Sequence, residues 1–360
     1  MVRQKLLFTP GPLKISERVL NALRNGNMMH RDIAFSKIFN NLQKIFLLAL
    51  ELDDSYAACF FNSTGHGANE AMLAPYAKHY FLAVISNGTW GATLLKIART
   101  LNPNVKILEC PANRRIDPQR VIKFLDSNPD INALAFVHQE TRSGILNSLS
   151  EIADIAKSRG IFLLVDAMSS AVVEETDFQK NNVAFFTCSS TKGFRSLPGI
   201  GVVCGKKDEF EKLKQFTPHS YYLDLFSEYE SQNKRGKIRF AQSTVLLAAL
   251  HESILELLEE GVLVRRSNIH ERTGNFRQWA KTNGIDVTTP LSELGNVITN
   301  FKIPPPLNYA QLSPTLQKRG IFLLYTAPEA CDEIQVSFFG EFSDRDVEYL
   351  KKNLLSILKL

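Results

Sequence analysis

Short apolar runs alternate with helical stretches between residues 57 and 203. The runs contain few polar residues, as in strands of a parallel sheet that are buried on both faces. Asp117-Pro118 marks a helix start, and Gly160 marks a helix end. This alternation predicts an α/β fold with a mostly parallel seven-stranded sheet and helices on both faces. The predicted strands are residues 57–61, 81–85, 105–108, 133–137, 162–165, 183–187 and 200–203.

The stretch before these strands contains an arm and two helices. Thr9-Pro-Gly-Pro12 excludes a helix because two prolines flank a glycine, so an extended arm is predicted. Ser16 is placed to cap a helix that runs to Gly26, and Ser36 is placed to start a second helix.

From residue 243 onward the pattern predicts a long helix and then a smaller α+β unit. The long helix runs from Ser243 to Glu260, and a final helix is capped by Ser343. Short strands are expected near residues 285–288, 297–303, 321–325 and 333–338. We therefore expect an N-terminal arm (1–15), a large domain (16–260) and a small C-terminal domain (261–360) to which the arm contributes.

Composition and charge narrow the class of protein. The 360 residues are 44% hydrophobic and 22% charged, which is typical of a globular protein. The net charge of +5 is spread along the chain, which argues against a nucleic-acid partner but suits an anionic cofactor or substrate. No apolar stretch approaches about 18 residues, so no membrane span is expected. Five scattered cysteines and the lack of a signal peptide predict reduced thiols, a cytoplasmic location and no metal site.

Two charged residues follow predicted strands directly. Asp166 ends one strand, and Lys192 follows the next, 26 residues later. Open α/β sheets bind ligands at the carboxyl ends of their strands. A desolvated lysine there can form a Schiff base, and pyridoxal phosphate also needs a carboxylate at its pyridinium nitrogen. A simple salt bridge between the two side chains is the alternative.

Three other strand ends suit the same kind of ligand. Residues 62–70 open a helix whose N–H groups can close on a phosphate, whereas a dinucleotide fingerprint fails at Glu70. Trp90, between two glycines, can stack on a planar ring. Residues 138–144 are polar and would be costly to bury unpaired. The structural alternatives are a tight turn for residues 62–70 and a core tryptophan for Trp90. The presence of all these features at successive strand ends predicts a cofactor site.

These stretches resemble the class V, fold-type I pyridoxal-phosphate enzymes. Within that class they are most similar to the branch of 2-aminoethylphosphonate:pyruvate and alanine or serine:glyoxylate aminotransferases. The resemblance covers nearly the whole chain. It rests on residues 9–12, 30–31, 63–70, 87–91, 138–147, 164–170, 189–193 and 198–199. It implies a pyridoxal 5'-phosphate-dependent aminotransferase that forms a homodimer with a shared active site.

The resemblance also implies roles for the two charged residues. Lys192 would bind the cofactor as a Schiff base and later move a proton at the substrate's α carbon. Asp166 would keep the pyridine nitrogen protonated.

The remaining cofactor contacts follow in the same way. Trp90 would stack on one face of the ring, and Met168 or Ala167 would touch the other. Thr141 would bond near the ring hydroxyl. The residues implied to hold the phosphate are Thr64, Gly65, His66 and Thr191.

The first departure from the family concerns the phosphate contact from the partner chain. In the family a Phe-Thr-Pro-Pro motif supplies it, whereas residues 240–244 read Phe-Ala-Gln-Ser-Thr, with Ala241 in place of the threonine. Gln242, Ser243 or Thr244 would have to substitute, or the contact is lost.

The second departure concerns the substrate. Gln335 stands where relatives carry an arginine that clamps the substrate carboxylate, and an amide cannot replace that charged pair. Residues 325–328 also differ from the family's Tyr-Pro-Gly. We expect anion recognition at Arg31, Arg142 or Arg195, or a substrate without a carboxylate. The alternative is that Arg142 and Arg195 are surface residues.

The expected reaction is a transamination from a small amine or amino acid to a 2-oxo acid such as pyruvate or glyoxylate. The candidate donors include 2-aminoethylphosphonate. One alternative is another pyridoxal-phosphate reaction, of lyase or desulfurase type, although the setting of Cys331 does not resemble the mobile thiol loop of desulfurases. A non-catalytic relative is the other alternative.

Overall fold

A seven-stranded sheet forms the centre of the protein. The computed structural model describes residues 5–325 and 332–358. The strands of the sheet are β2 (Tyr56–Phe61), β3 (Leu82–Ser86), β4 (Lys106–Glu109), β5 (Ala133–Val137), β6 (Phe162–Asp166), β7 (Phe185–Ser189) and β8 (Gly201–Lys206). Their order is β2-β8-β7-β6-β5-β3-β4, and only β8 runs antiparallel to its neighbours. The predicted α/β fold with a mostly parallel seven-stranded sheet is therefore confirmed.

Helices cover both faces of this sheet, and each face packs on its own hydrophobic cluster. Ser16 caps the first helix as predicted, since its hydroxyl accepts from the Val19 N–H at 3.1 Å. Asp117 and Ser243 also cap the helices predicted from them. The helices up to residue 282 are α1 (Glu17–Asn25), α2 (Ile33–Ala49), α3 (Gly65–His79), α4 (Thr89–Leu101), α5 (Pro118–Asp126), α6 (Leu149–Ser158), α7 (Lys207–Lys212), α8 (Leu225–Tyr229), α9 (Thr244–Glu260) and α10 (Val262–Thr282).

The C-terminal part adds a small antiparallel sheet, β11-β12-β9, and a parallel pair, β1-β10. Its elements are β9 (Ile298–Lys302), α11 (Tyr309–Lys318), β10 (Ile321–Phe322), β11 (Leu324–Tyr325), β12 (Glu333–Ser337) and α12 (Asp344–Leu358). Strand β1 (Leu6–Leu7) comes from the N-terminal arm, and Phe8 stacks on Phe342 with ring centroids 4.2 Å apart. The predicted domain boundaries stay a prediction.

One predicted helix start and one predicted strand are wrong. Helix α2 begins at Ile33 after Asp32, not at Ser36, whose hydroxyl instead donates to the Asp32 carbonyl at 2.9 Å. Ser36 therefore lies within the first turn of the helix. Residues 285–288 form no strand, and Val287 makes a single bridge to Phe301.

Within the described ranges, no helix has the length and apolarity that crossing a membrane requires.

Candidate active site

A cavity of about 200 Å³ lies at the edge of the sheet where β2, β5, β6 and β7 end. The parallel strands bring these ends together, as the sequence predicts. Nine of the ten predicted cofactor-binding residues line the cavity. They are Thr64, Gly65, His66, Trp90, Thr141, Asp166, Met168, Thr191 and Lys192.

Asp166 provides a buried carboxylate at one side of the cavity. Its Oδ2 accepts from Asn69 Nδ2 at 2.7 Å, and its Oδ1 accepts from the Met168 N–H at 2.9 Å. Thr187, its register partner on β7, donates to Asn69 Oδ1 at 2.5 Å and so orients that amide. Burial raises the pKa of Asp166, while the two donors lower it. The carboxylate is therefore held in one orientation by neutral donors and is suited to a cationic or N–H partner.

Lys192 enters the same cavity from the loop after β7. Desolvation lowers the pKa of its amine to about 8, against the opposing charge of Asp166. The ring centroid of Phe339 lies 5.5 Å from Lys192 Nζ. An amine with this pKa is partly neutral near pH 7.5, and only the neutral amine can attack a carbonyl.

The cavity lining also contains N–H groups and hydroxyls near the start of α3 and the end of β7. Thr64 precedes α3, whose first-turn N–H groups face outward from the helix and favour an anion. The Ser189 and Thr191 hydroxyls lie 2.9 Å apart on the facing loop. A Cβ at Gly65 would lie 2.8 Å from Met168 Sδ, so a larger residue there would displace the end of the Met168 side chain in the cavity lining. This end of the cavity has the donors that a phosphate requires.

Trp90 is positioned by Glu140. The Glu140 carboxylate accepts from the Gly91 N–H at 2.7 Å and from the Trp90 N–H at 3.1 Å, and so caps α4. The Trp90 ring lies 5.7 Å from the His66 ring between centroids. Desolvation raises the pKa of Glu140 to about 7, although the two backbone donors favour its charged form.

This raised pKa predicts a pH dependence of stability. Because the folded-state pKa of about 7 exceeds the usual 4.5, folded Glu140 keeps a proton that the unfolded chain loses. The free energy of unfolding should therefore fall as pH rises through this window. We expect the fall between pH 5 and pH 8 to be about 2 kcal/mol smaller in Glu140→Gln than in the wild type. Urea unfolding across pH, with exposed Glu175→Gln as control, measures it, and equal slopes in all three proteins would contradict it.

Thr244 and Arg31 lie away from this cavity. The Thr244 hydroxyl donates to the Met28 carbonyl at 3.1 Å, and Thr244 does not line the cavity of its own chain. Its predicted contact is with a partner chain and stays a prediction. Arg31 is exposed in the loop between α1 and α2.

The other three predicted substrate residues also lie outside the cavity lining. Gln335 is buried, and its Nε2 donates to the Thr141 and Arg142 carbonyls at 2.9 and 3.1 Å. Arg142 donates to Thr89 Oγ1 at 3.2 Å and faces a neighbouring cavity. Arg195 Nε donates to the Phe339 carbonyl at 2.7 Å. The structure thus gives Gln335 and Arg195 protein partners instead of a place in the cavity, and the altered loop at 326–328, like Cys331, lies outside the described residues.

Sequence reasoning missed Asn69 and Gln139. Asn69 lies one helical turn after Gly65 and thus on the same face of α3. Gln139 lies two residues after Val137, which places both on the cavity side of the chain. Its Nε2 donates to Glu174 at 3.1 Å. Helical periodicity applied from Gly65 would have found Asn69, whereas Gln139 lies beyond the end of β5. The other lining residues that were not predicted are Ser63, Val137, Ser189, Pro198, Gly199 and Ile200.

Comparisons with known proteins agree with this geometry. The chain is 28% identical to a bifunctional phosphonoacetaldehyde hydrolase/aminoethylphosphonate transaminase from Clostridioides difficile, over 96% of this chain but 55% of that protein. It therefore spans about half of that relative. It is 29% identical to a 2-aminoethylphosphonate–pyruvate transaminase from Syntrophobacter fumaroxidans, over 96% of this chain and 94% of the relative.

Solved structures and a family model complete the comparison. An alanine–glyoxylate aminotransferase from Nostoc sp. superposes with a TM-score of 0.90 at 20% identity, covering 99% of this chain and 96% of the other, which supports the shared fold. The model of the aminotransferase class-V family matches residues 14–321. With most of its length matched by this model, the chain belongs to the class V aminotransferases, a pyridoxal-phosphate-dependent family.

Proposed function

We propose that this aminotransferase binds pyridoxal 5'-phosphate through Lys192 and transfers an amino group from a small amine or amino acid to a 2-oxo acid such as pyruvate or glyoxylate. The first donor to test is 2-aminoethylphosphonate, which the names of the curated relatives suggest. The observation that carries the proposal is the single cavity that joins the Lys192 amine, the Asp166 carboxylate and the N-terminal end of α3.

The residues present fit the cofactor. Pyridoxal phosphate carries a basic ring nitrogen at one side and a phosphate at another, and it supplies the carbonyl and the electron-withdrawing ring of the reaction. Asp166 is the acceptor that would hold a proton on the ring nitrogen. Thr64, His66 and Thr191 would hold the phosphate. Trp90 and Met168 would enclose the ring from its two faces.

Lys192 would act twice in this scheme. Its pKa of about 8 leaves about a quarter of the amine neutral at pH 7.5, which is enough to attack a carbonyl. Lys192 Nζ would also take the proton from the α carbon of the amino donor and, in the second half of the reaction, deliver a proton to the α carbon of the new amino acid.

Within the described residues, the cavity lining has no guanidinium for the anionic group of either substrate. Its basic side chains in the described chain are those of Lys192 and His66, and no arginine of that part lines it. A guanidinium for the carboxylate of the oxo acid would then come from the partner of a homodimer with a shared site. Arg31 is exposed and is our candidate for it.

The location we infer is cytoplasmic. Cys59, Cys110, Cys188 and Cys204 are all free thiols. Thiols that stay reduced fit a reducing compartment.

A donor panel tests the proposal. The purified protein with added pyridoxal phosphate should show a visible absorption band, and 2-aminoethylphosphonate with pyruvate should discharge and restore it. We expect its kcat/KM to be at least about tenfold above that for propylamine, because a lost charge-assisted contact changes binding by about 1.5–3 kcal/mol. Propylamine, which lacks the phosphonate, is the matched control. No band would overturn the cofactor assignment, and a preference for alanine would redirect the donor assignment.

The proposed homodimer is tested separately by light scattering, which should give twice the mass of the chain.

A further inference from the structure

The turn that carries Lys192 has an unfavourable backbone. We call residues 191–195 the lysine turn. Lys192 and Arg195 have φ angles of 54° and 55°, in the left-handed region, and neither is a glycine. Such residues cost of order 1 kcal/mol each, so the surrounding contacts must hold the turn. The Arg195 N–H donates to the Lys192 carbonyl at 3.0 Å and closes it.

One contact joins the turn to the C-terminal part of the chain. Arg195 Nε donates to the Phe339 carbonyl at 2.7 Å, just after β12. The Phe339 side chain is fully buried, and its ring centroid lies 5.5 Å from Lys192 Nζ. Arg195 therefore binds the backbone of Phe339, and the ring of the same residue covers the lysine amine.

A second contact joins the turn to the long helices. Arg265 of α10 is buried, and its Nη1 donates to the Gly193 carbonyl at 3.3 Å. Its Nε donates to Glu260 Oε2 at 2.7 Å. The same Glu260 oxygen lies 3.6 Å from Arg195 Nη1. One carboxylate at the end of α9 thus connects both arginines.

We propose that Arg195, Arg265 and Glu260 form a positioning cluster that fixes the lysine turn and seats the Phe339 ring over the Lys192 amine. The proposal rests on Lys192 as the amine that captures the cofactor. The cluster does not touch the reacting atoms, and its effect passes through the turn and through Phe339. The cluster thereby keeps water away from the Lys192 amine. Hydration would favour the ammonium form over the reactive free amine.

The pH dependence of Lys192 reactivity tests this in the cofactor-free full chain. The protein is labelled with trinitrobenzenesulfonate over a range of pH, and mass spectrometry quantifies the peptide that contains Lys192. We expect a midpoint of about 8 in the wild type. In Arg195→Gln the ring is released and water enters, so we expect a midpoint about one pH unit higher and labelling about fivefold slower at pH 8.

Glu260→Ala separates positioning from simple charge effects. By Coulomb's law alone, loss of the negative charge of Glu260 would lower the pH midpoint of Lys192 labelling. Loss of the carboxylate that connects the two arginines should instead raise this midpoint. Besides Glu260, the charges that face Arg195 and Lys192 from other elements are those of Arg265, Glu341, Arg272 and Asp166, and they are unchanged in this variant. A raised midpoint supports the cluster, and a lowered or unchanged one overturns it.

Two further variants complete the test. Arg195→Lys keeps a cationic donor and should give an intermediate midpoint. Arg272→Gln removes a positive charge from the cavity of about 540 Å³ that Arg195 and Glu260 also line, and should leave the midpoint at the wild-type value. An equal shift in Arg272→Gln would overturn the proposal. Because the labelling needs no cofactor, its outcome is separate from whether the wild type shows the absorption band.

Discussion

Lys192→Ala should lower kcat for transamination by about three to four orders of magnitude. This is the range found when a positioned acid–base group is removed, and here the covalent attachment of the cofactor is lost as well. Lys192→Arg should be equally inactive, because a guanidinium cannot become a neutral nucleophile near neutral pH. Initial rates with saturating donor and acceptor measure both.

The control for this prediction is Lys207→Ala, which removes an exposed lysine at the start of α7. It should leave kcat within about twofold, as surface substitutions usually do. Residual activity above about a tenth of the wild type in Lys192→Ala, with unchanged melting temperature, would contradict the assignment of Lys192.

Asp166→Asn should lower kcat by about two to three orders of magnitude. A neutral amide cannot keep a proton on the ring nitrogen, so the ring becomes a weaker electron sink. The substitution also creates a local conflict. Both oxygens of Asp166 accept from donors, so an amide nitrogen would face either Asn69 Nδ2 or the Met168 N–H. An unmade buried hydrogen bond of this kind costs about 1–3 kcal/mol.

The affinity for pyridoxal phosphate, measured by spectral titration, provides a readout besides activity. It should weaken in Asp166→Asn and stay near the wild-type value in Asp154→Asn, which changes an exposed carboxylate on α6. An Asp166→Asn protein with wild-type affinity and rate would show that Asp166 only stabilises the fold.

The cofactor half of the site could be predicted because it follows from local rules. Parallel strands place their carboxyl ends along one edge, so Asp166 at the end of β6 and the lysine after β7 had to lie close together. In the structure Asp166 of β6 pairs with Thr187 of β7, so the two strand ends lie side by side as expected. The first turn of α3 faces the same edge for the same reason.

The substrate half could not be predicted in this way, because its side chains bind partners far along the chain. Gln335 Nε2 donates to the Thr141 carbonyl, 194 residues away, and Arg195 binds the Phe339 carbonyl, 144 residues away. A resemblance can identify Gln335 as the replacement of an arginine, but only the fold shows that its amide nitrogen is used to connect β12 to the loop after β5. The error at Ser36 is of another kind, since Asp32 offered a competing start four residues earlier.

The pairing of β1 with β10 has a consequence for the order of folding during synthesis. Leu6 pairs with Ile321, and the Ser337 N–H donates to the Phe8 carbonyl at 3.0 Å. At the usual rate of translation, roughly 5–20 residues per second, the ribosome needs roughly 15–60 seconds to pass from the arm to its partner strand. The large sheet can assemble in that interval, whereas the arm must wait unpaired. A strand of two residues exposes little unpaired edge and is therefore less prone to aggregate while it waits than a long one. The arm should therefore pair only after the C-terminal strands have been synthesised.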